Sequence, residues 1–228
     1  MSGPARRAGM SGEGHGPAEG AAYGSGEFAA DTNVSRETLV RLGTYAALLE
    51  DWNSRFNLVA AGTIPLLWRR HFLDSAQLLP FIPPSARTMV DLGSGAGFPG
   101  LVIAEMLRQR PGFRTVLYEA TGKKAKFLKE VTAHLGLAVE VRGARVEAAE
   151  REIFDVVMAR ALAPLPKLAA YAQRFWGPKT VGLFLKGQNV EGELTEARKS
   201  WRMEVARHES RSDPSGVILE VRELRRAD

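Results

Sequence analysis

The stretch Thr88-Met-Val-Asp-Leu-Gly-Ser-Gly-Ala-Gly-Phe-Pro-Gly100 decides the fold that we predict for this chain. A short apolar run ends at Asp91, and four glycines follow at positions 93, 95, 97 and 100. Glycine suits a backbone that turns with positive φ or approaches a ligand closely, because it carries no Cβ. A loop of this kind between a buried strand and a helix N-terminus presents amide donors to a nucleotide. The stretch therefore predicts a nucleotide-binding loop.

The length and composition are those of a globular protein with one sizeable core. The chain has 228 residues, of which 45% are hydrophobic, and it has no apolar run near the roughly 18 residues that a membrane span needs. It contains no cysteine, which excludes disulfides, thiol nucleophiles and cysteine-bound metals. Its four histidines lack the spacing of metal ligands. We expect a monomeric cytoplasmic protein with no metal and no membrane association.

The charge balance is moderately basic. Lysine and arginine number 31 against 26 aspartates and glutamates, which gives a net charge of +5. This balance is compatible with a polyanionic partner such as RNA, and equally with simple solubility. Residues 1–32 are rich in glycine and alanine and lack the apolar segment of a secretory signal. We predict that they form a disordered tail.

Two helices are predicted before the glycine-rich stretch. Ser35 is placed to cap a helix that runs to about Phe56, because apolar residues recur there at intervals of three and four. A second helix is predicted from Thr63 to about Leu79, ahead of two consecutive prolines. Residues 33–84 are therefore expected to form an N-terminal helical extension.

From residue 85 onward, short apolar strands alternate with helices. This alternation predicts an α/β fold with a Rossmann-like, seven-stranded and mostly parallel sheet over residues 85–228. The last two strands are expected to form an antiparallel hairpin at one edge. In such sheets ligands bind beyond the carboxyl ends of the strands, so the residues that follow each strand are the candidates for function. The predicted strands are 88–92, 114–119, 138–142, 153–159, 180–186, 203–208 and 216–224.

Glu119 ends the second predicted strand. An acid at this place can accept hydrogen bonds from both hydroxyls of a nucleoside ribose. The alternative is a solvated carboxylate at the start of the helix that follows.

Two cofactors compete for the glycine loop. The sequence Gly95-Ala-Gly-Phe-Pro-Gly100, with an acid 19 residues further on, satisfies the dinucleotide pattern of an NAD-dependent oxidoreductase. The pattern with Asp91 on the strand itself resembles instead the first motif of class I S-adenosylmethionine-dependent methyltransferases. A carboxylate beside the loop favours a cationic sulfonium or ammonium group and disfavours a pyrophosphate. The methyltransferase interpretation is therefore preferred, with Gly93 and Gly95 at the cofactor, and Gly100 completes the dinucleotide pattern by coincidence.

Further candidates follow the third and fourth strands. Val146 and Glu147 are placed to contact an adenine edge, although Glu147 would also suit the first turn of a helix. Arg160 has no acid near it in the sequence, which suits an anion or the O6 and N7 atoms of guanine. The chain lacks both the Asn/Asp-Pro-Pro-Tyr type of motif that amino-group methyltransferases carry and the cysteine of C5-pyrimidine enzymes.

Several cations also follow the strand ends, where they would form a phosphate-binding rim around one cleft. Two more lie in the predicted second helix beside His71, whose ordinary role would be structural. The cations expected to contact RNA are Lys123, Lys124, Arg145, Lys186, Arg69 and Arg70.

Taken in order, these motifs resemble the RsmG (formerly GidB) methyltransferases of bacterial small-subunit ribosomal RNA, over roughly residues 35–224. Glu119 replaces the aspartate more common in the family, and Lys124 replaces an arginine. The motifs are Phe56-Asn-Leu-Val, Arg70-His-Phe-Leu-Asp-Ser, Asp91-Leu-Gly-Ser-Gly-Ala-Gly-Phe-Pro-Gly, Lys123-Lys-Ala-Lys-Phe-Leu, Arg145-Val-Glu, Ala159-Arg-Ala-Leu-Ala and Leu185-Lys-Gly.

The resemblance implies transfer of a methyl group from S-adenosyl-L-methionine to N7 of guanosine 527 in 16S ribosomal RNA, either free or within the small subunit. It implies cofactor contacts at Gly93, Phe98, Val146, Glu147 and Arg160. Guanine N7 carries a lone pair and no proton, so no catalytic acid or base is expected. An NAD-dependent oxidoreductase and a non-catalytic RNA-binding module remain the alternatives.

Overall fold

The computed structural model describes residues 23–227 of the chain. Seven strands form one sheet in the order β3-β2-β1-β4-β5-β7-β6. The first five strands are parallel, and β7 pairs antiparallel with both β5 and β6. The predicted α/β fold and its antiparallel hairpin are therefore confirmed. The strands are β1 Thr88–Leu92, β2 Arg114–Tyr118, β3 Val139–Arg142, β4 Val156–Arg160, β5 Val181–Lys186, β6 Trp201–Glu209 and β7 Val217–Arg226.

The helices precede the sheet or connect its strands. The α-helices are α1 Ser25–Thr32, α2 Arg36–Phe56, α3 Asp74–Ala76, α4 Gly100–Met106, α5 Gly122–Leu135, α6 Leu165–Ala172 and α7 Val190–Ala197. Short 3₁₀ segments cover Ala61–Leu66, Leu79–Phe81, Val146–Ala148 and Gln173–Phe175, and Trp68–Leu73 forms a π-helix. Within residues 23–227, no helix combines the length and the apolar character that crossing a bilayer requires.

Helix α2 has the predicted bounds because both of its ends are capped. The Ser35 hydroxyl accepts a hydrogen bond from the Thr38 amide at 3.1 Å, which satisfies a free donor of the first turn. Asn57 ends the helix with φ of 48°, a left-handed conformation that asparagine tolerates better than most residues.

The single helix predicted from Thr63 to Leu79 is wrong. This segment consists instead of a 3₁₀ turn that contains Pro65, the π-helix Trp68–Leu73 and the short helix α3. Proline lacks an amide donor, and a π turn changes the angles at which successive side chains leave the axis. The π-helix supplies His71 and leads into Asp74, and both side chains contact Arg160.

The predicted tail also ends too late. Residues 1–22 lie outside the described part of the chain, but Ser25–Thr32, which we expected to be disordered, forms helix α1. Phe28 explains this order, because its ring is fully buried and packs 5.3 Å from the Trp68 ring and 6.2 Å from the Phe72 ring. The aromatic burial offsets the weak helix propensity of a glycine-containing segment.

The N-terminal helices share a hydrophobic cluster with one face of the sheet. Tyr45 of α2 and Phe72 of the π-helix belong to the same cluster as Leu117 of β2 and Phe127 of α5. Residues on both sides of position 85 therefore form one packed core, and the division at that position stays a prediction.

The order of the strands fixes where a ligand can bind. Strand β1 lies between β2 and β4, so the strands that follow β1 are added on one side of it up to β3 and on the other side from β4 onward. A crevice forms beyond the carboxyl ends of two such strands, because their connections leave to opposite sides. Here those ends are Leu92 and Arg160, which brings the glycine loop next to the loop that follows β4.

Candidate active site

Two cavities open at this edge of the sheet, and they share Ala161 in their walls. The first, which we call the glycine-loop cavity, has a volume of about 310 Å³ and is lined by Gly93, Gly95, Glu119, Val146 and Glu147 among others. The second, the Arg160 cavity, has a volume of about 380 Å³ and is lined by Arg160, Lys186, Glu193, Asp74 and Asp213 among others. Both volumes are within the ordinary range for small-ligand sites.

Ala161 separates the two cavities with an uncommon backbone conformation. Its φ is 52°, in the left-handed region that residues with a Cβ seldom occupy. Strained residues of this kind persist where the surrounding structure holds them, and they are concentrated at functional sites. The turn at Ala161 directs Arg160 into one cavity and Leu162 into the other.

The glycine loop packs against this turn. Gly93 has φ of 70°, and a Cβ built on it would lie 3.3 Å from Leu162 Cγ and nearer still to Cδ1. Glycine is required here for its conformation and for the close approach of the loop that follows β4. Gly93 therefore forms the contact between the two strand-end loops.

Two carboxylates accept hydrogen bonds from backbone amides that could otherwise donate to a nucleotide phosphate. The Gly100 amide, at the start of α4, donates to Asp91 Oδ2 at 3.0 Å, and the Gly95 amide donates to Glu119 Oε2 at 2.8 Å. Because acidic oxygens already accept these hydrogen bonds, a pyrophosphate would meet negative charge where a dinucleotide site offers free donors.

Asp91 lies behind the glycine loop and lines neither cavity. Its side chain is completely buried, and Oδ1 has no hydrogen-bond partner among the described residues. Burial raises the pKa of Asp91 to about 7 in spite of the hydrogen bond from the Gly100 amide. Packing requires glycine at position 100, because a Cβ there would lie 2.7 Å from Asp91 Oδ2 and would collide with Leu117.

Glu119 is fixed at the wall of the glycine-loop cavity. Only 7% of the residue is exposed, and the second carboxylate oxygen, Oε1, accepts a hydrogen bond from the Thr121 amide at 2.7 Å. A carboxylate has about four acceptor positions, so both oxygens keep capacity for hydroxyl donors of a ligand.

The opposite wall combines the third and fourth strand ends. Val146 is buried, and Glu147 is exposed and accepts a hydrogen bond at 2.7 Å from the Tyr171 hydroxyl of α6. That hydrogen bond lowers the pKa of Glu147, so the cavity carries an ionised carboxylate on this side. Lys167 and Tyr171 lie four residues apart on α6, and both line the cavity.

Arg160 lines the second cavity, and its guanidinium already has partners within the protein. Its guanidinium forms an ion pair with Asp74 at 3.1 Å and donates to the Arg70 carbonyl at 3.2 Å. It also lies 5.1 Å from the centroid of the Phe98 ring. The sequence suggested an arginine without an acid beside it, and this was wrong because the acid precedes Arg160 by 86 positions.

His71 is a neutral acceptor for Arg160. Its Nδ1 lies 3.0 Å from Arg160 Nη2, which can only donate, so Nε2 carries the proton and donates to the Thr63 hydroxyl at 2.9 Å. Burial, with Arg160 and Arg70 nearby, lowers the pKa of His71 to about 3. His71 therefore orients Arg160 and has no free nitrogen for proton transfer.

The predicted cations do not form one rim. Lys124 and Arg145 line the glycine-loop cavity, whereas Arg70, Arg160 and Lys186 line the Arg160 cavity. Three of these cations are paired with acids, as Arg70–Asp213 at 2.6 Å, Arg160–Asp74 at 3.1 Å and Lys186–Glu193 at 2.6 Å. Two other predicted cations line neither cavity: Lys123 lies 5.2 Å from the Phe56 ring, and Arg69 donates to the Ser212 carbonyl at 3.2 Å. The predicted cofactor contact Phe98 also lines neither cavity, because its ring is buried between Tyr45 and His71.

The acids that pair with these cations were not predicted from the sequence. Asp74 and Asp213 lie 86 and 143 positions from their partners, and Glu193 lies on a different element from Lys186, so no local spacing signals the pairs. Tyr171 and Lys167 could have been found, because they lie one helical turn apart directly after the fourth strand. Among residues 23–227, no group of three histidine or acidic side chains is arranged to hold a metal ion.

The chain is similar to proteins of one family over most of its length. The family model described as rRNA small subunit methyltransferase G matches residues 38–216. The Ribosomal RNA small subunit methyltransferase G of Parvibaculum lavamentivorans is 52% identical over 206 residues, which cover 90% of this chain and 91% of the relative. The protein of the same name from Rhodospirillum rubrum is 49% identical, and the match covers 88% of this chain and 98% of the relative.

Solved structures support the fold alone, since their identities are low. A SAM-dependent methyltransferase from Aquifex aeolicus is similar with a TM-score of 0.53 and 15% identity, over 69% of this chain and 92% of that chain. The ribosomal protein L11 methylase from Lactobacillus delbrueckii subsp. bulgaricus has a TM-score of 0.53 and 14% identity, over 64% and 75% of the two chains. On its sequence match and its fold, the chain belongs to the GidB family of ribosomal RNA small subunit methyltransferases G.

Proposed function

We propose that this protein transfers a methyl group from S-adenosyl-L-methionine to N7 of guanosine 527 in 16S ribosomal RNA. The observation that carries the cofactor assignment is Glu119, which accepts the hydrogen bond of the Gly95 amide in the glycine loop. Its carboxylate disfavours a pyrophosphate at that amide, and it lines a cavity that suits a cationic, ribose-containing ligand. Family membership supports the ribosomal RNA substrate, and nothing supports the nicotinamide alternative.

The residues of the glycine-loop cavity fit this cofactor. Glu119 would accept the ribose hydroxyls, and Val146 with Glu147 would contact the adenine at the opposite wall. The backbone at Gly93 and Gly95 would hold the methionine end, and Ala161 would lie where the methyl group leaves the cavity. When bound, S-adenosylmethionine supplies a methyl group made electrophilic by the attached sulfonium.

The protein would contribute to catalysis through positioning and electrostatic stabilisation. Guanine N7 has no proton to lose, so a general base would be idle. His71 agrees with this, since its Nδ1 accepts from Arg160 and its Nε2 donates to Thr63. Arg160 is held by Asp74 and by stacking on Phe98, so it keeps a fixed direction at the wall of the second cavity. Such pre-organisation lowers a barrier by holding the reacting atoms in line at about 3–3.5 Å.

The substrate surface would combine exposed and anchored cations. Lys124 and Arg145 line the glycine-loop cavity, Lys123 lies exposed beside Lys124, and these three cations would contact phosphates. Arg69 and Arg70 would form a separate RNA contact at the Arg160 cavity, where Arg70 lines the wall. A ribosomal RNA partner implies a cytoplasmic protein that acts on free 16S RNA or on the small subunit, and we propose that it acts as a monomer.

Methyl transfer to free 16S RNA and to intact small subunits, measured side by side with methyl-labelled cofactor, tests this function. We expect 7-methylguanosine at position 527 in at least one of the two substrates, and its absence from both would overturn the proposal. Thermal-shift measurements separate the cofactors, because S-adenosylhomocysteine should raise the melting temperature and NADH should not. RNA retention without any label transfer would indicate a non-catalytic RNA-binding module.

A further inference from the structure

The ion pair between Lys186 and Glu193 is built into the wall of the Arg160 cavity. Lys186 ends β5, Glu193 lies in α7, and the ammonium and carboxylate are 2.6 Å apart. Lys186 also donates to the Ala163 carbonyl at 3.0 Å, and Glu193 Oε2 accepts from the Leu165 amide at 2.7 Å. Both side chains are thus fastened to the loop that follows β4, residues 161–165, whose first residue is the strained Ala161.

A buried ion pair is weak evidence of a stabilising role, so the position of this pair calls for another explanation. Only 8% of the Lys186 side chain and 20% of the Glu193 side chain are exposed. Removing two charges from water costs about as much as their attraction returns, and apolar side chains would often serve a fold equally well. A buried pair at the wall of a cavity is better explained by what its unused hydrogen-bonding groups can recognise.

Each partner keeps one group for a ligand. An ammonium has three donors, and Lys186 uses two of them on Ala163 and Glu193. Glu193 uses Oε2 for its two contacts, and Oε1 has no hydrogen-bond partner among residues 23–227. The cavity wall therefore offers one cationic donor beside one anionic acceptor.

We propose that this pair reads the Watson–Crick edge of the target guanine, with Lys186 donating to O6 and Glu193 Oε1 accepting the N1 proton. Guanine presents an acceptor next to a donor on this edge, which matches the pair. Adenine presents an amino donor next to an unprotonated nitrogen, so both contacts would be repulsive. The pair thus selects guanine between the two purines.

The position of the cavity agrees with this role, which rests on the proposed function. N7 lies next to O6 along the edge of the guanine ring system, and Ala161 lies in the walls of both the Arg160 cavity and the glycine-loop cavity. A base held by Lys186 at O6 would therefore have its N7 on the side where the two cavities meet. Lys186 is then a base-reading residue rather than one of the phosphate contacts expected from the sequence, because Glu193 neutralises it and would repel a phosphate.

The test compares guanosine with 2-aminopurine at position 527 of ligated 16S RNA, used free or assembled into subunits as the wild-type enzyme requires. 2-Aminopurine keeps N7 and the 2-amino group but lacks O6 and the N1 proton. We expect Glu193→Gln to reduce the preference for guanosine, as a ratio of kcat/KM values, by about tenfold, the usual effect of losing a hydrogen bond to a charged group. The intrinsic difference in N7 reactivity between the bases cancels between the two enzymes.

The matched control is Glu191→Gln on the same helix, whose carboxylate is 69% exposed and pairs with Arg207. It should keep the wild-type ratio, and both variants should bind S-adenosylhomocysteine with wild-type affinity. If Glu193→Gln does not fold, Glu193→Asp retains the charge beside Lys186 and allows the same comparison. An unchanged ratio in a folded variant that methylates guanosine would overturn the base-reading pair alone, whereas no transfer by the wild type would overturn the proposed function and this inference with it.

Discussion

Replacing Gly100 with alanine tests how closely helix α4 packs on the sheet. The added Cβ would lie 2.7 Å from Asp91 Oδ2 and 2.9 Å from Asp91 Cβ, and it would also collide with Leu117. These neighbours belong to the central strands β1 and β2 and are fully buried, so they have no free space into which to move. Relief requires α4 to shift, which stretches the 3.0 Å hydrogen bond from the Gly100 amide to Asp91.

The expected cost follows from these contacts. Overpacking a core costs about 1–3 kcal/mol, and weakening a hydrogen bond to a buried carboxylate adds to it, so we expect a loss of about 3 kcal/mol. For a chain of this size, that corresponds to a fall in melting temperature of roughly 6–12 °C. Because the glycine loop leads directly into α4, binding of S-adenosylhomocysteine should weaken as well.

The assay is thermal unfolding followed by circular dichroism, with calorimetric titration of S-adenosylhomocysteine. Gly43→Ala is the matched control, because Gly43 lies inside α2 and a Cβ there would have no atom within 4 Å. Alanine should stabilise that helix by roughly 0.5–1 kcal/mol, so the two substitutions are expected to have opposite signs. A Gly100→Ala protein that melts within about 2 °C of the wild type would refute the packing argument.

Three further predictions concern the site. Gly93→Val should abolish binding of S-adenosylhomocysteine in calorimetry, because φ of 70° and the adjacent Leu162 leave no place for a branched side chain; wild-type affinity would contradict it. Asp74→Asn should lower kcat for methyl transfer about tenfold with little change in cofactor affinity, because Arg160 loses its ion pair; an unchanged kcat would exclude this role. The pKa of Asp91 in the folded protein, about 7, lies above its ordinary value of 3.8, so the folded state binds a proton that the unfolded state has lost between these values. The free energy of unfolding should therefore decline as pH rises from about 4 to 7. The melting temperature of Asp91→Asn relative to the wild type should therefore rise across that interval, and a constant difference would count against it.

The sheet could be predicted from the sequence because its signals are local. The central strands β1, β2, β4 and β5 are short apolar runs, and the helix starts or glycines that follow mark their carboxyl ends. Helix α1 and the π-helix could not be predicted in this way. Phe28 is ordered by rings some forty positions later, and the π turn supplies a histidine to Arg160. Tertiary contacts overrode local propensity in both segments.

In the candidate site, too, the features with local sequence signals were predicted and those that depend on tertiary contacts were not. The strand-end rule identified the backbone and side chains around the glycine-loop cavity, including Glu119 and Val146. It also treated the cations as free to contact phosphates, since no sequence spacing reveals that Asp74 pairs with Arg160 or that Glu193 pairs with Lys186. The role of Gly100 was missed for a related reason, because the atoms it makes room for belong to two different strands.

The Arg160 cavity is closed by segments from opposite ends of the chain. Arg70 pairs with Asp213 across 143 positions, and the Ser212 hydroxyl donates to Asp74 at 2.6 Å. During synthesis, the segment that holds Arg160 is made first and acquires these partners only after about 140 further residues have been translated. Contacts this distant close late and slow folding. A nascent chain that has not yet reached Ser212 and Asp213 would thus possess the glycine loop without a completed second cavity.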